Sequence, residues 1–357
     1  MVANLQKAGV EVMPYINTRM WDTSTKSFID ERAVADVVRF MHRIIPTRDY
    51  DGHVFATMCP AAPKWQDKIA SICDELVNAY GVGGIYLNQL SAPSLDELCL
   101  SRHEHLPGGG NYWARGHWQM LDKIKKRMPD KNRFFTSEHF AESYINQVDG
   151  FLVWMCFAEN TIPFAQAVYG GRTVFWGRSF GSYWEENNKL MEDRTGEGFY
   201  SKLADILINN IQLGWIYAWI MEEGYEKKRA FVRDLAHLYD AALKDASLDG
   251  QFIKPPKVTG LGNHLKVVWV QRRNVNMEVP PVAVAAWNIS DGGFKILAIN
   301  VSRRYRNSIW NSPAGNHRHR HCRSKQRRHR MAAPGRWGLP PILSACPSNR
   351  TRRLFCH

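Results

Sequence analysis

The chain has 357 residues, 45% hydrophobic, 12% aromatic and 23% charged, enough for one large domain and a smaller one. Its net charge of +13 suggests a nucleic-acid binder, yet the residues from Ser302 onward hold 14 of the 47 Lys and Arg and no acid, leaving 33 bases against 34 acids before them. The body is therefore near neutral, which excludes electrostatic steering of an acidic partner to it, and nucleic acid is not an expected partner.

The first residues show no basic-then-apolar leader, and the longest apolar runs, 151–157 and 211–221, are too short to span a bilayer. The chain as written reads as neither exported nor membrane-bound, with a leader lost by truncation left open. It opens inside an apparent helix, Leu5 to Ala8, as though a first strand preceded it. Val10 to Asn17 reads as a strand, and Glu31 to Ile45 carries Val34, Val37, Val38, Met41 and Ile45 at helical spacing. Val54 to Met58 is a short strand, Trp65 to Tyr80 a helix stopped at Gly81, and Gly84 to Leu90 a buried strand. A helix over Trp113 to Met128 leads to a strand over Arg133 to Ser137, a short helix over Ala141 to Gln147 and a strand over Gly150 to Trp154. Arg172 to Trp176 is a later strand; Phe199 to Leu213 and Lys227 to Leu243 are helices.

Repeated strand–helix alternation implies a parallel sheet, here an α/β (β/α)8 TIM-like barrel over residues 1–248, truncated at its N-terminus. After Asp249 the texture changes. Strands at Leu265 to Val270, Val282 to Trp287 and Phe294 to Asn300, with a turn at Asp291-Gly292-Gly293, predict a partial antiparallel, β-sandwich-like domain over 249–301. Residues 302–357 read as a disordered basic tail or as out-of-frame sequence. The seven Cys show no CxxC pair and no metal-ligand spacing, so neither a metal nor a cofactor is expected.

Polar residues at the C-terminal ends of parallel strands are where a barrel puts its chemistry. Asn88 ends one predicted strand and Glu138 the next. Cleaving a glycosidic bond takes two carboxyl groups, one protonating the leaving oxygen and one attacking the anomeric carbon or activating water. Glu138 reads as the acid or as a structural hydrogen bonder; Glu142, one turn on, is the alternate, and His139 either tunes them or is structural. Gln89 follows Asn88 directly. Asn17, Trp21 and Asp22 follow an early strand where a sugar hydroxyl could bind, although Asp22 reads equally as a turn or N-cap residue. Gly108-Gly109-Gly110 lacks the Lys and spacing of a phosphate loop and instead lets Tyr112 and Trp113 fold over a cleft. Trp154, at a strand end, is placed to stack on a sugar ring.

Tyr80-Gly-Val-Gly-Gly-Ile-Tyr-Leu-Asn-Gln-Leu-Ser-Ala92, Gly108-Gly-Gly-Asn-Tyr-Trp113, Thr136-Ser-Glu-His-Phe-Ala-Glu142 and Asp149-Gly-Phe-Leu-Val-Trp154 resemble a family of bacterial glycoside-hydrolase-like proteins catalogued as domain of unknown function 6259. Its barrel is similar to those of retaining glycosidases such as the endo-α-N-acetylgalactosaminidases. The resemblance covers most of residues 1–301 and implies a hydrolase acting on O-glycosidic bonds of a carbohydrate. In the family pattern the first motif reads Gly-Val-Asp-Gly-Val-Tyr-Ile-Asp-Gln. The resemblance makes its final Asp the nucleophile and the Glu after the next strand the acid/base. This chain departs at both aspartates, with Gly83 and Asn88 in their places. An amide cannot act as a carboxylate nucleophile, and losing such a group costs several powers of ten in rate. Three readings stay open: an impaired hydrolase, a non-catalytic carbohydrate-binding pseudoenzyme, and a substrate-assisted hydrolase in which Asn88 orients an acetamido group.

Overall fold

The computed structural model describes residues 1–40, 47–50, 52–92, 98–128, 133–153, 162–178, 185–186, 189–190, 197–214, 216, 218–270, 274–289, 293–302, 309–310 and 343–345. The chain divides into two compact units, Met1–Trp154 and Met155–His357. No helix among the described residues is long and apolar enough to cross a membrane.

The first unit runs α1 (Val2–Lys7), β1 (Tyr15–Asn17), β2 (Met20–Asp22), α2 (Lys26–Asp30), β3 (Thr47–Tyr50), β4 (His53–Thr57), α3 (Pro63–Asn78), β5 (Gly84–Asn88), α4 (Tyr112–Arg127), β6 (Phe134–Glu138) and β7 (Gly150–Val153). Strands β1, β5, β6 and β7 form a parallel sheet in that order. Its register pairs Tyr15 with Tyr86 and Asn17 with Asn88, Leu87 with Ser137, and Glu138 with Leu152.

Side chains alternate between the faces of a sheet, so this register sorts two rows. Ile16, Ile85, Leu87, Phe135 and Phe151 belong to the apolar core with Trp65, Ile69, Cys73 and Val77 of α3 and Met120, Leu121 and Ile124 of α4. The residues between them occupy the other face: Tyr15 and Tyr86, whose rings stack at 5.2 Å, then Asn17, Asn88 and Glu138. One face is thus sealed by helices, and the other ends in polar groups. The approach of α4 is close at Gly116, where an added Cβ would lie 2.5 Å from the Pro60 carbonyl carbon.

Two expectations are corrected. The helix over Glu31 to Ile45 is replaced by a 3-10 turn at Ala33–Asp36, with residues 41–46 outside the described set. Val37 then bridges to Met58, and the Val38 N–H donates to the Thr57 carbonyl at 2.9 Å. Both valines are fully buried, and β-branched side chains accept an extended backbone readily, so packing overrode the helical spacing. Strand β4 also leaves the parallel alternation, lying antiparallel between β2 and β3 in a separate three-stranded sheet.

In the second unit α5 (Phe164–Tyr169) precedes β8 (Val174–Arg178), and β9 (Glu185–Glu186) pairs antiparallel with β10 (Lys189–Leu190). Then follow α6 (Glu197–Ile208), β11 (Gln212–Gly214), which pairs parallel with β8, α7 (Glu226–Leu238) and α8 (Lys244–Asp249). The β-rich remainder is β12 (Gln251–Ile253), β13 (Val258–Thr259), β14 (Leu265–Val270), β15 (Asn274–Val279), β16 (Val282–Asn288) and β17 (Phe294–Asn300). Strands β12, β16 and β17 pair antiparallel, and β14 and β15 form a hairpin. Beyond Ser302, Ile309–Trp310 pairs with β13 and Leu343–Ala345 with β17. A single apolar cluster joins Phe199, Leu203, Phe231 and Leu235 of the helices to Ala285, Trp287, Leu297 and Ile299 of the strands. The compact units part at 154/155, whereas the composition shift falls after Asp249.

Candidate functional site

The polar row at the strand ends is built by three adjacent strands. Asn17 ends β1, Asn88 ends β5 and Glu138 ends β6. Asn17 and Asn88 are register partners, and Asn88 and Glu138 stand one step beyond the last register pair of β5 and β6, Leu87 with Ser137. Asn88 is 3% exposed and Glu138 9%.

The backbone leaves both strands in the same unusual way. Gln89, after Asn88, has φ 58°, and His139, after Glu138, has φ 62°. Left-handed conformations in non-glycine residues are held only by surrounding structure, and they gather at ligand sites. What holds these two is a serine clamp. The Ser91 hydroxyl, with one proton to donate, lies 2.8 Å from Ser137 Oγ, from the Glu138 carbonyl and from the His139 carbonyl. The Ser91 N–H donates to Ser137 Oγ at 3.1 Å. The loop after β5 is thereby tied to the end of β6. On the other side the Thr18 N–H and hydroxyl both donate to the Asn88 carbonyl, at 3.2 and 2.9 Å. Gln89 Oε1 is buried with no hydrogen-bond partner, so a polar atom beside the row awaits a donor.

The other predicted residues separate. Asn17 accepts the N–H groups of Arg19 and Met20 at 2.9 and 2.8 Å, which makes it the organiser of the turn after β1. Asp22 accepts from the Ser24 N–H and hydroxyl at 2.8 and 2.7 Å and meets His53 at 2.9 Å. The Ser24 bonds, with His53, hold its carboxyl below the usual range, as befits a turn residue. Trp21 packs against Trp65 and Phe28 with Lys68 over its ring, leaning on α3. Glu142 is exposed at the start of a 3-10 turn, off the strand-end row. Tyr112 is 6% exposed, with its ring stacked 4.0 Å from His105 and its hydroxyl accepting the Cys99 N–H, so it packs inward. Trp113 is half-buried between the Arg19 guanidinium, 5.8 Å from its ring centre, and His117. Trp154 lies outside the described residues.

Two groupings escaped the sequence reading. His117 is fully buried and pushed down to about 3, chiefly by desolvation and then by the nearby Arg19 charge. The second grouping is a convergence of Cys59, Cys99, His103 and His105, whose ligand-type atoms all lie within 4.8 Å of one another. The Cys59 thiol hydrogen-bonded to Cys99 pulls the Cys99 thiol well down and pushes its own up. Cys59 lies 40 residues before Cys99 in the chain, so only folding brings them together.

With this geometry established, the comparisons decide the family. The sequence profile of a domain of unknown function, DUF6259, matches residues 1–180, half of the chain. The chain belongs to the DUF6259 family. The matched segment holds Asn88, Glu138 and the Cys/His cluster. The DUF6259 chain is 24% identical over 311 residues to a Bacteroides thetaiotaomicron protein provisionally named a glycoside hydrolase, covering 85% of this chain and 44% of that protein. It is 28% identical over 228 residues to a provisionally named glycoside hydrolase of Monosiga brevicollis, covering 60% of this chain and 18% of that one. The chain therefore spans less than half the length of these relatives. Among solved structures it resembles the α-N-acetylgalactosaminidase NagBb of Bifidobacterium bifidum, with TM-score 0.55 and 13% identity, covering 86% of this chain and 43% of NagBb. It also resembles a variant α-galactosidase AgaA of Geobacillus stearothermophilus in complex with raffinose, with TM-score 0.51 and 11% identity over 88% of this chain and 40% of AgaA. At these identities the likeness is one of fold: the DUF6259 chain is a mixed α/β protein of glycosidase-like architecture.

Proposed function

We propose that this chain is the barrel portion of a glycoside-hydrolase-like protein whose site lies at the mouth of a (β/α)8 barrel, with Glu138 as acid/base and Asn88 at the nucleophile position. The observation that carries the reading is the polar row itself: an amide and an acid ending adjacent parallel strands at matching depth. Neighbouring strands lie about 4.8 Å apart, so two groups in one row fall near the ~5–5.5 Å separation of a retaining pair and short of the ~6.5–9.5 Å that an inverting pair needs for its water. The family resemblance assigns the same two positions, and NagBb has been solved with GalNAc bound, which supports a carbohydrate as the ligand.

Asn88 weakens the chemistry. A retaining mechanism needs an anionic nucleophile there, and an amide supplies neither the charge nor the covalent intermediate. This favours a second reading, a carbohydrate-binding protein that retains the site's shape without its turnover.

Replacing Asn88 with Asp separates the two. A panel of aryl glycosides is assayed with the unaltered chain, Asn88→Asp, Asn88→Asp with Glu138→Gln, and Asn88→Asp with Glu142→Gln. The impaired-hydrolase reading expects turnover restored by at least ~10²-fold in Asn88→Asp, lost with Glu138→Gln and kept with Glu142→Gln. Turnover by the unaltered chain that is indifferent to Glu138 would refute the site.

A further inference from the structure

The Cys59, Cys99, His103 and His105 cluster shares no residue with the strand-end row, and the glycosidase reading does not use it. Both cysteines are fully buried, and three chain segments meet there. The Cys59 N–H donates to the Asp36 carbonyl at 2.8 Å, and the Leu100 N–H to the Arg39 carbonyl at 2.8 Å. The Gly108 N–H returns to the Cys99 carbonyl at 3.0 Å, so the glycine run closes the loop around the thiols. Its three glycines, with φ 91°, 133° and 85°, adopt a backbone that other residues would resist.

The imidazole orientations are the telling feature. His103 Nε2 lies 2.9 Å from the Ala35 carbonyl and His105 Nδ1 lies 2.8 Å from the Leu106 carbonyl. A carbonyl only accepts, so each of those nitrogens carries the proton. In the neutral rings the opposite nitrogens are then lone pairs, and both face sulfur: His103 Nδ1 is 3.7 Å from Cys99 Sγ, and His105 Nε2 is 3.4 Å from Cys59 Sγ. Anchoring of the outer nitrogen by a backbone carbonyl is the arrangement that fixes a metal-binding histidine.

We propose that these four residues form a tetrahedral site for a zinc-type divalent cation. Bond lengths of about 2.3 Å to sulfur and 2.0–2.1 Å to nitrogen set ligand-to-ligand edges of roughly 3.3–3.8 Å. The two sulfur–nitrogen edges, 3.4 and 3.7 Å, fall inside that range, and since every pair lies within 4.8 Å, the widest closes by at most about 1 Å. Two thiolates neutralise the dication, so no net charge is buried, and sulfur with imidazole selects zinc over calcium or magnesium. Binding releases the two thiol protons to solvent. Four protein ligands leave no open position, which makes the site structural: it pins the loop after β4 to the segment that opens α4 through Tyr112, whose ring stacks on His105.

The test uses the full chain, purified reduced and without chelator. After dialysis, elemental analysis is expected to find about one zinc per chain, falling to background in Cys59→Ser with Cys99→Ser. Reconstitution of the unaltered chain with cobalt(II) is expected to give thiolate-to-cobalt charge-transfer absorption and tetrahedral d–d bands, a reading that does not require any variant to fold. A strong chelator should lower the unfolding temperature of the unaltered chain. Absence of bound zinc, a cobalt spectrum without the thiolate band, a Cys59–Cys99 disulfide found by mass spectrometry of freshly purified protein, or zinc retained in the double serine variant would each overturn the assignment.

Discussion

Ser91→Ala tests whether the two strand ends are held together as a unit. Ser91 is 5% exposed, and its one hydroxyl proton is shared among three acceptors at 2.8 Å. Removing the hydroxyl deletes one net hydrogen bond, about 0.5–1.5 kcal/mol, and up to ~3 kcal/mol when a buried partner is left wanting a donor. The Ser137 hydroxyl retains the Ser91 N–H and can turn its own proton to the Glu138 carbonyl at 3.3 Å, which relieves part of that penalty. The expected loss is therefore about 1–2 kcal/mol, read from the shift in urea midpoint followed by Trp fluorescence. Ser137→Ala alone and the double variant complete the cycle, with a coupling of at least ~0.5 kcal/mol expected between residues in direct contact. In an active Asn88→Asp background, Ser91→Ala should lower kcat more than it raises KM, because the clamp positions Glu138 and does not bind substrate. A destabilisation within ~0.5 kcal/mol together with additivity within ~0.3 kcal/mol would show that the clamp is incidental.

Other outcomes follow from packing and burial. Gly116→Ala places a methyl 2.5–2.6 Å from Pro60 and Ala61 backbone atoms, so α4 must move, and a loss of about 1–3 kcal/mol is expected in the same denaturation assay. His117 has its folded pKa depressed to about 3 from an ordinary value near 6.5. Between those values the unfolded chain holds the proton and the folded chain does not, so the stability His117 contributes is complete above pH ~6.5 and falls by about 1.4 kcal/mol per unit as pH drops towards 3. His117→Gln should remove that component, so the stability gap between the two proteins should vary with pH; a gap that stays constant from pH 7 to 4.5 would contradict the assignment.

The regular elements were readable where local pattern and burial agreed. Gly84 to Asn88 is an apolar run with a polar end, Phe134 to Glu138 opens on two Phe and closes on polar residues, and both became parallel strands with their ends in line. Helix α3 followed from apolar residues three and four apart, with Gly81 at its stop at φ 69°. The segment at Val34 to Val38 misled because three valines can follow a helical spacing yet prefer an extended backbone once β4 lies beside them. Strand β15 was overlooked although Val275, Met277 and Val279 alternate with Asn274, Asn276 and Glu278; its evidence was the period of two, set among residues too polar to draw notice. Of the candidate site, the positions of Asn88 and Glu138 could be read because each ends its own strand. The roles of Asn17 and Asp22 could not, since turn organisation and ligand contact call for the same residue types. The Ser91 clamp joins residues 46 apart, and the cluster brings Cys59 to Cys99, His103 and His105, 40 or more residues further on, distances over which a sequence carries no spacing rule.

The central claim is that Asn88 and Glu138 stand side by side across adjacent strands, at the spacing of a retaining pair. Proton NMR of the first sugar released by the Asn88→Asp variant reports that spacing directly, because the anomeric form of the product records whether water or a protein carboxylate struck first. Retention of configuration is the predicted result; inversion, or no hydrolysis across the aryl glycoside panel, contradicts the account.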